Sequence, residues 1–193
     1  LEHSVEEWIY DYSLADSIPD GAGQNESVDL LAAAVPVRVV EWYQKLIHIV
    51  GWKLSAMAPA SSAISNLIMS DREKQDVRRS NCCVMDCGRQ GVRLYFYQKG
   101  LLFAKRGLEF CDTEERLLFE LEKIWDYYQT CYPGYIPERV YVTGGKRNPL
   151  LEAAITEQLE AECCDWTKLL DNSQEPVRGL ISAEAAGITF WKG

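Results

Sequence analysis

The sequence predicts a mixed fold of the α+β or α/β class, in which strands and helices alternate along the chain. Apolar residues recur at helical spacing in VRVVEWYQKLIHIV, whereas CCVMD and VYVT are continuous apolar runs typical of buried strands. Glycine follows both of these strands, which indicates sharp turns at their ends. Hydrophobic residues make up 47% of the 193 residues, so the chain can form a packed core.

The first part of the chain is predicted to form a small β-β-α-β domain over residues 1–68. The helix is expected to end at Gly51, which suits the C′ position, and a second short helix is expected between Pro59 and Leu67. The expected strands span 5–14, 28–34 and 52–57. The charged segment 69–80 lacks apolar periodicity, which predicts a linker and a domain boundary.

The second predicted domain covers residues 81–193 and opens with three adjacent strands joined by short turns. Asp112 or Thr113 is suited to cap the long helix that follows, and Asn148 with Pro149 is suited to start the next helix. The expected strands span 82–86, 92–97, 101–108, 139–143 and 163–166, and the expected helices span 113–130, 149–160 and 180–190.

Bulk composition excludes several classes of function. The net charge of −9 argues against nucleic acid as a partner, because binding to phosphates requires clustered lysine and arginine. No apolar run approaches the roughly 20 residues that would cross a bilayer, so direct membrane insertion is not expected. The chain begins in what looks like the middle of a fold, so a fragment of a longer protein is expected.

The seven cysteines are predicted to be reduced, mostly buried thiols of a cytosolic protein. Two pairs are adjacent in sequence, Cys82-Cys83 and Cys163-Cys164, and adjacent residues of a strand point to opposite faces of the sheet. A zinc site formed by Cys83, Cys87 and Cys163 is the alternative, although their spacing lacks the usual C-x-x-C pair. We predict no metal site.

Two turns that follow strands are candidates for phosphate binding. These are Asp86-Cys87-Gly88, which enters a hairpin, and Gly144-Gly145, which leads into a helix. Glycine turns let backbone N–H groups approach a phosphate, and a helix N-terminus after Asn148 would favour an anion. The alternative for each is an ordinary turn.

The order of these elements carries a resemblance to a known superfamily. Strand-Asp-x-Gly, a three-strand meander, a helix, strand-Gly-Gly, a helix and an Ala-rich helix resemble the second lobe of the actin-like (ribonuclease H-like) ATPase fold. Within it, the chain looks most like the PilM-like type IV pilus assembly proteins, relatives of FtsA, without their N-terminal lobe. The segments that carry this resemblance are VEEWIYDYSL, DLLAAAVPVRVVEWYQKLIHIVGWKLSAMAPASSAI, CCVMDCGRQGVRLYFYQKGLLFAKRGLEF, VYVTGGKRNPLLEAAITEQL and GLISAEAAGITF.

The resemblance implies a nucleotide site that has degenerated. The residues that match the family's phosphate and adenosine loops are Asp86, Gly88, Arg89, Gly144, Gly145, Lys146 and Asn148. Gly91 and Val92 stand where the family loop usually has hydroxyl side chains. The resemblance therefore implies ATP and Mg²⁺ only for a full-length protein, none for this chain alone, and a pseudo-ATPase without catalytic residues.

The same resemblance implies a cytoplasmic scaffold that is peripheral to the inner membrane. Its expected partner is a PilN-like membrane protein with a short cytoplasmic tail, in a type IV pilus or type II secretion-like apparatus. The aromatic residues that we expect to contact this partner are Trp8, Tyr10, Tyr12, Trp42 and Trp52. The alternative is an active ATP-binding switch or ATPase of the actin-like superfamily.

Overall fold

A computed structural model describes residues 7–14, 30–70, 81–98, 100–109, 113–132, 134–145 and 149–169. The chain divides into two compact units, Leu1–Pro59 and Ala60–Gly193. The helix predicted at 180–190 and most of the predicted linker at 69–80 lie outside the described residues.

The first unit contains a two-stranded antiparallel sheet followed by a helix. Its elements are β1 (Trp8–Leu14), β2 (Leu30–Pro36) and α1 (Val37–Ile49). Gly51 ends α1 with a φ of 76°, and its N–H donates to the His48 carbonyl oxygen at 2.9 Å. The next N–H, that of Trp52, donates to the Ile47 carbonyl oxygen at 3.0 Å. This pair of bonds is a Schellman motif, which confirms the predicted helix end.

The strand predicted at 52–57 is wrong, because residues 52–59 have no regular secondary structure. Apolar residues alternate in part of this segment, but within the described residues β1 and β2 pair only with each other. A strand needs a neighbour for its backbone N–H and C=O groups, so apolar alternation alone does not produce one. The described part of the first unit is therefore β-β-α.

The second unit is built on a five-stranded mixed sheet with the order β5-β4-β3-β6-β7. The strands are β3 (Asn81–Cys87), β4 (Gly91–Gln98), β5 (Leu101–Glu109), β6 (Arg139–Thr143) and β7 (Glu162–Asp165). Strands β3, β4 and β5 form an antiparallel meander, whereas β6 and β7 run parallel to β3. All five strands were predicted to within two residues.

Helices cover both faces of this sheet and bury two apolar cores. The helical elements are α2 (Ala60–Ser70), α3 (Glu114–Cys131), α4 (Pro149–Gln158) and a 3-10 turn (Trp166–Leu169). On one face α3 and α4 pack against Cys83, and on the other face α2 and the 3-10 turn pack against Cys82. The adjacent cysteines thus point to opposite faces of the sheet, as predicted.

The boundary predicted at residues 69–80 placed α2 in the wrong unit. The structure divides at Pro59/Ala60, and Ile64, Leu67 and Ile68 of α2 are fully buried in the core of the second unit. The change to a charged composition follows α2 in the sequence. It does not indicate which sheet the preceding apolar helix covers.

Aromatic side chains fill much of the core under α3. Phe96 of β4 is fully buried and contacts the rings of Phe103, Trp125, Tyr128 and Tyr135, with centroids 4.4–6.2 Å apart. Aromatic pairs at these separations add to the stabilisation that burial provides. Phe96 therefore lies inside a cluster of aromatic rings.

We predict that Phe96→Ala destabilises the second unit by about 3–5 kcal/mol, because it leaves a cavity among four rings. Phe119→Ala is the matched control, since Phe119 lies on α3 with 58% of its surface exposed. Its expected effect is within about 0.5 kcal/mol. Urea unfolding followed by near-UV circular dichroism measures both, and equal effects would contradict this account of the core.

Candidate functional site

The two predicted glycine turns meet at one edge of the sheet. Strands β3 and β6 are parallel neighbours, and Asp86 at the end of β3 lies opposite Thr143 at the end of β6. Both side chains are buried. Since the carboxyl ends of parallel neighbours lie together, the turns that follow these strands must also be neighbours.

Gly144 contacts the first turn so closely that only glycine fits. Its φ is 94°, a conformation that residues with a side chain rarely adopt. A Cβ atom there would lie 2.5 Å from the Cys87 carbonyl oxygen and 2.8 Å from Asp86 Oδ1. The structure thus brings together three predicted site residues, Asp86, Gly88 and Gly144. It also gives the glycine a packing role.

The Asp86 carboxylate forms an ion pair that the sequence analysis missed. Arg93 Nη2 of β4 lies 2.7 Å from Asp86 Oδ2, and the two residues face each other directly in the β3–β4 ladder. The Asp86 side chain is 4% exposed and the Arg93 side chain is 44% exposed. The ion pair therefore has one buried member and one member in contact with solvent. The sequence does contain a signal for this ion pair, because the short turn of the predicted hairpin places residues 86 and 93 opposite each other.

Backbone groups within the turn between β3 and β4 form a hydrogen bond with each other. The Gly88 N–H donates to the Gly91 carbonyl oxygen at 3.0 Å. A side chain on Gly91 would overlap the backbone of Leu108 in β5. The packing of β4 against β5 therefore explains Gly91, whereas a Cβ on Gly88 would make only ordinary contacts. The Gly88 N–H remains bonded within the turn.

A second carboxylate lies near the same edge. Glu152 is in the first turn of α4, where a helix N-terminus attracts negative charge. Its charge contributes to the raised pKa of the Cys87 thiol. Burial is the main cause of that pKa of about 12, followed by the charge of Asp86 and then that of Glu152. The chain's own carboxylate thus occupies the helix end that was predicted to favour phosphate.

These residues do not fit a Mg²⁺–nucleotide. Asp86, the carboxylate of the predicted phosphate loop, is buried and ion-paired with a guanidinium, and a second carboxylate would repel phosphate. Thr143 supplies the nearest hydroxyl in the strand register, but it is fully buried. Phosphoryl transfer needs charge neutralisation from several sides, whereas the described residues of this edge include two carboxylates, Asp86 and Glu152.

The described contacts do not bring the remaining predicted nucleotide-binding residues together in a site. Arg89 and Gly145 are exposed, and a Cβ atom on Gly145 would meet nothing within 4 Å. Lys146 and Asn148 lie outside the described residues. Among the described residues no group of three His, Cys, Asp or Glu could hold a metal ion, so the zinc alternative gains no support there.

The five aromatic residues that we predict to contact a partner lie in the first unit. Tyr10, Tyr12, Trp42 and Trp52 are exposed, and Trp8 is half-buried. On β1 the cross-strand partners of Tyr10 and Tyr12 are alanines, which are too small to cover the rings. We call the five residues Trp8, Tyr10, Tyr12, Trp42 and Trp52 the aromatic surface.

Helix α1 adds apolar area to the same unit. Leu46, Ile49 and Val50 are exposed, and none of the residues of α1 is fully buried. The Trp42 and Tyr43 rings meet edge to face at 4.9 Å. Among the described helices, none is long and apolar enough to cross a membrane.

Comparison with solved structures identifies the fold. A "PilM-PilN type IV pilus biogenesis complex" matches with a TM-score of 0.72 and 14% identity, over 98% of this chain and 68% of that chain. A Bacteroides thetaiotaomicron protein "with actin-like ATPase fold and unknown function" matches with a TM-score of 0.55 and 11% identity, over 99% of this chain and 62% of that chain. No model of a protein family and no curated protein matches the sequence.

At such low identities the likeness shows the fold alone. The chain has the actin-like ATPase fold, and the predicted fold class is confirmed. This chain spans about two thirds of each matched chain.

We predict that Gly144→Ala destabilises the second unit by more than about 2 kcal/mol, because its Cβ would push apart the ends of β3 and β6. Gly145→Ala is the matched control, since the space around Gly145 is open. Its effect should be within about 0.5 kcal/mol. Urea unfolding of the two variants provides the comparison. If Gly144→Ala is as stable as Gly145→Ala, the two turns are not in the contact described here.

We also predict that buried thiols make the protein less stable at high pH. The Cys87 thiol has a folded pKa of about 12 against an ordinary value of 9.0. Between these values the unfolded chain loses a proton that the folded chain keeps, so the free energy of unfolding falls as pH rises. Each such thiol contributes at most about 1.4 kcal/mol per pH unit.

Cys87→Ala should therefore show a shallower fall in unfolding free energy from about pH 9 upward than the wild type. Cys131→Ala is the control, because Cys131 is exposed. Urea unfolding at several pH values measures the slopes. Equal slopes for the wild type and Cys87→Ala would contradict the burial of this thiol.

Proposed function

We propose that this chain is part of a cytoplasmic scaffold of a type IV pilus or type II secretion-like assembly apparatus. It would bind the short cytoplasmic tail of a PilN-like inner-membrane protein. The observation that carries the proposal is the likeness in fold to a solved PilM–PilN complex, with a TM-score of 0.72 over 98% of the chain. The finer assignment to the PilM-like proteins is part of this proposal.

The surface of the first unit supports a binding role. Large exposed apolar patches mark interaction sites, because covering them removes apolar area from water at about 25 cal/mol per Å². Trp42 and Trp52 are 58% and 71% exposed, and tryptophan and tyrosine are enriched among residues that dominate binding energy. A tail that covers the aromatic surface would bury apolar area and would contact residue types that contribute strongly to binding.

The proposed location is the cytoplasmic side of the inner membrane, where the chain would be a peripheral protein. Binding to the cytoplasmic tail of its membrane partner would hold the chain there. The thiols of the described cysteines support a reducing compartment.

We further propose that the nucleotide loop does not support hydrolysis. The Asp86–Arg93 ion pair and the missing hydroxyls after Gly88 support a pseudo-ATPase. The alternative is an active ATP-dependent switch, which the actin-like ATPase fold itself favours. Under that alternative, calorimetry detects Mg²⁺–ATP binding to the full-length protein, and Asp86→Ala abolishes it.

The scaffold proposal predicts that the N-terminal cytoplasmic tail of the organism's PilN-like protein binds this protein, measured as fluorescence anisotropy of a labelled peptide. Tyr12→Ala, Trp42→Ala and Trp52→Ala are the test variants. At least two of them should weaken binding about tenfold or more, as expected for anchor residues.

Phe119→Ala is the matched control, because Phe119 lies in the second unit and has the same 58% exposure as Trp42. It should bind like the wild type. Absence of binding to the intact protein would overturn the scaffold proposal. Binding that none of the three test variants weakens more than Phe119→Ala would remove the aromatic surface from it.

A further inference from the structure

The Asp86–Arg93 ion pair involves the buried carboxylate of the predicted phosphate loop. A buried carboxylate requires a positive partner, and either a bound metal ion or a basic side chain can supply it. Here the guanidinium supplies it, with Nη2 2.7 Å from Oδ2. Because an arginine stays charged at every physiological pH, this neutralisation is permanent.

The Asp86 carboxylate also has a contact through its second oxygen. The position of a Cβ on Gly144 is 2.8 Å from Asp86 Oδ1, so the backbone of the second turn packs against the second carboxylate oxygen. Arg93 Nη2 also lies 3.8 Å from the Cβ position of Gly88, which places the guanidinium beside the first turn. One side chain thus adjoins both the strand end and the turn that follows it.

We infer that Arg93 takes the place of a metal ion at this sheet edge. The protein's own guanidinium neutralises Asp86 and keeps the Asp86 and Gly144 turns in their folded arrangement without any nucleotide. This role is structural and concerns only the second unit. It does not depend on the partner proposed above, and it can fail while that proposal stands.

The competing explanation is an ordinary surface ion pair, which contributes little to stability. The 44% exposure of Arg93 favours that explanation, and the 4% exposure of Asp86 opposes it. The two explanations differ in what happens when only the arginine is removed. A buried carboxylate that loses its guanidinium is costly, whereas an exposed one is hydrated.

The test compares melting temperatures of four variants. Arg93→Gln should lower Tm by more than about 4 °C, and Asp86→Asn/Arg93→Gln should lower it less than Arg93→Gln alone, because the double variant has no buried charge. Arg93→Lys should recover part of the loss. Arg89→Gln is the control, an exposed arginine in the adjacent turn, and should match the wild type. If Arg93→Gln melts like Arg89→Gln, or the double variant is less stable than Arg93→Gln, the inference is overturned.

A second measurement uses the wild-type protein, with Asp86→Asn as its control. Millimolar MgCl₂, alone or with ATP, should leave the Tm of the wild-type protein unchanged, because Arg93 already occupies the cation's place. A rise in wild-type Tm with Mg²⁺ or Mg²⁺–ATP that disappears in Asp86→Asn would overturn the inference. That result would leave the tail-binding experiment unaffected, so the two proposals fail separately.

Discussion

Strand β3 is paired on both edges and covered on both faces, and the rest of the second unit is arranged around that constraint. Residues Cys82 to Cys87 are buried, so the strand can carry a charge only where it ends. Asp86 is that charge, and it lies beside the end of the parallel strand β6. Its partner must come from the neighbouring strand, because the faces of the sheet are apolar. The candidate site is thus a consequence of how deeply one strand is buried.

Much of this arrangement could be predicted from the sequence because burial leaves a local pattern. The apolar run after Asn81 predicted β3, and Thr113 caps its helix by accepting a hydrogen bond from the Arg116 N–H at 3.3 Å. The side on which α2 packs could not be predicted, since any apolar face can cover either sheet. The prediction of a strand at Trp52–Met57 was wrong for a related reason, because alternating apolar residues do not provide a neighbouring strand to pair with.

The candidate site was predicted in part. Spacing and resemblance located Asp86, Gly88 and Gly144, which the structure brings into contact. Arg93 was missed because its role depends on the cross-strand register of the β3–β4 hairpin, which the sequence analysis did not assign. Gly144, which suggested phosphate binding, is instead required by its close approach to the Cys87 backbone, whereas the space around Gly145 is open. A motif can therefore keep its residues when strand packing, and not a ligand, requires them.

The adjacent cysteines of β3 give the second unit a pair of internal probes. Cys82 reports on the layer formed by α2 and the 3-10 turn, whereas Cys83 reports on the layer formed by α3 and α4. A thiol reagent reaches each one only when its own layer opens, so its modification rate measures local unfolding of that layer. Neighbours in the chain would then distinguish a fluctuation that lifts one layer from a cooperative opening that exposes both.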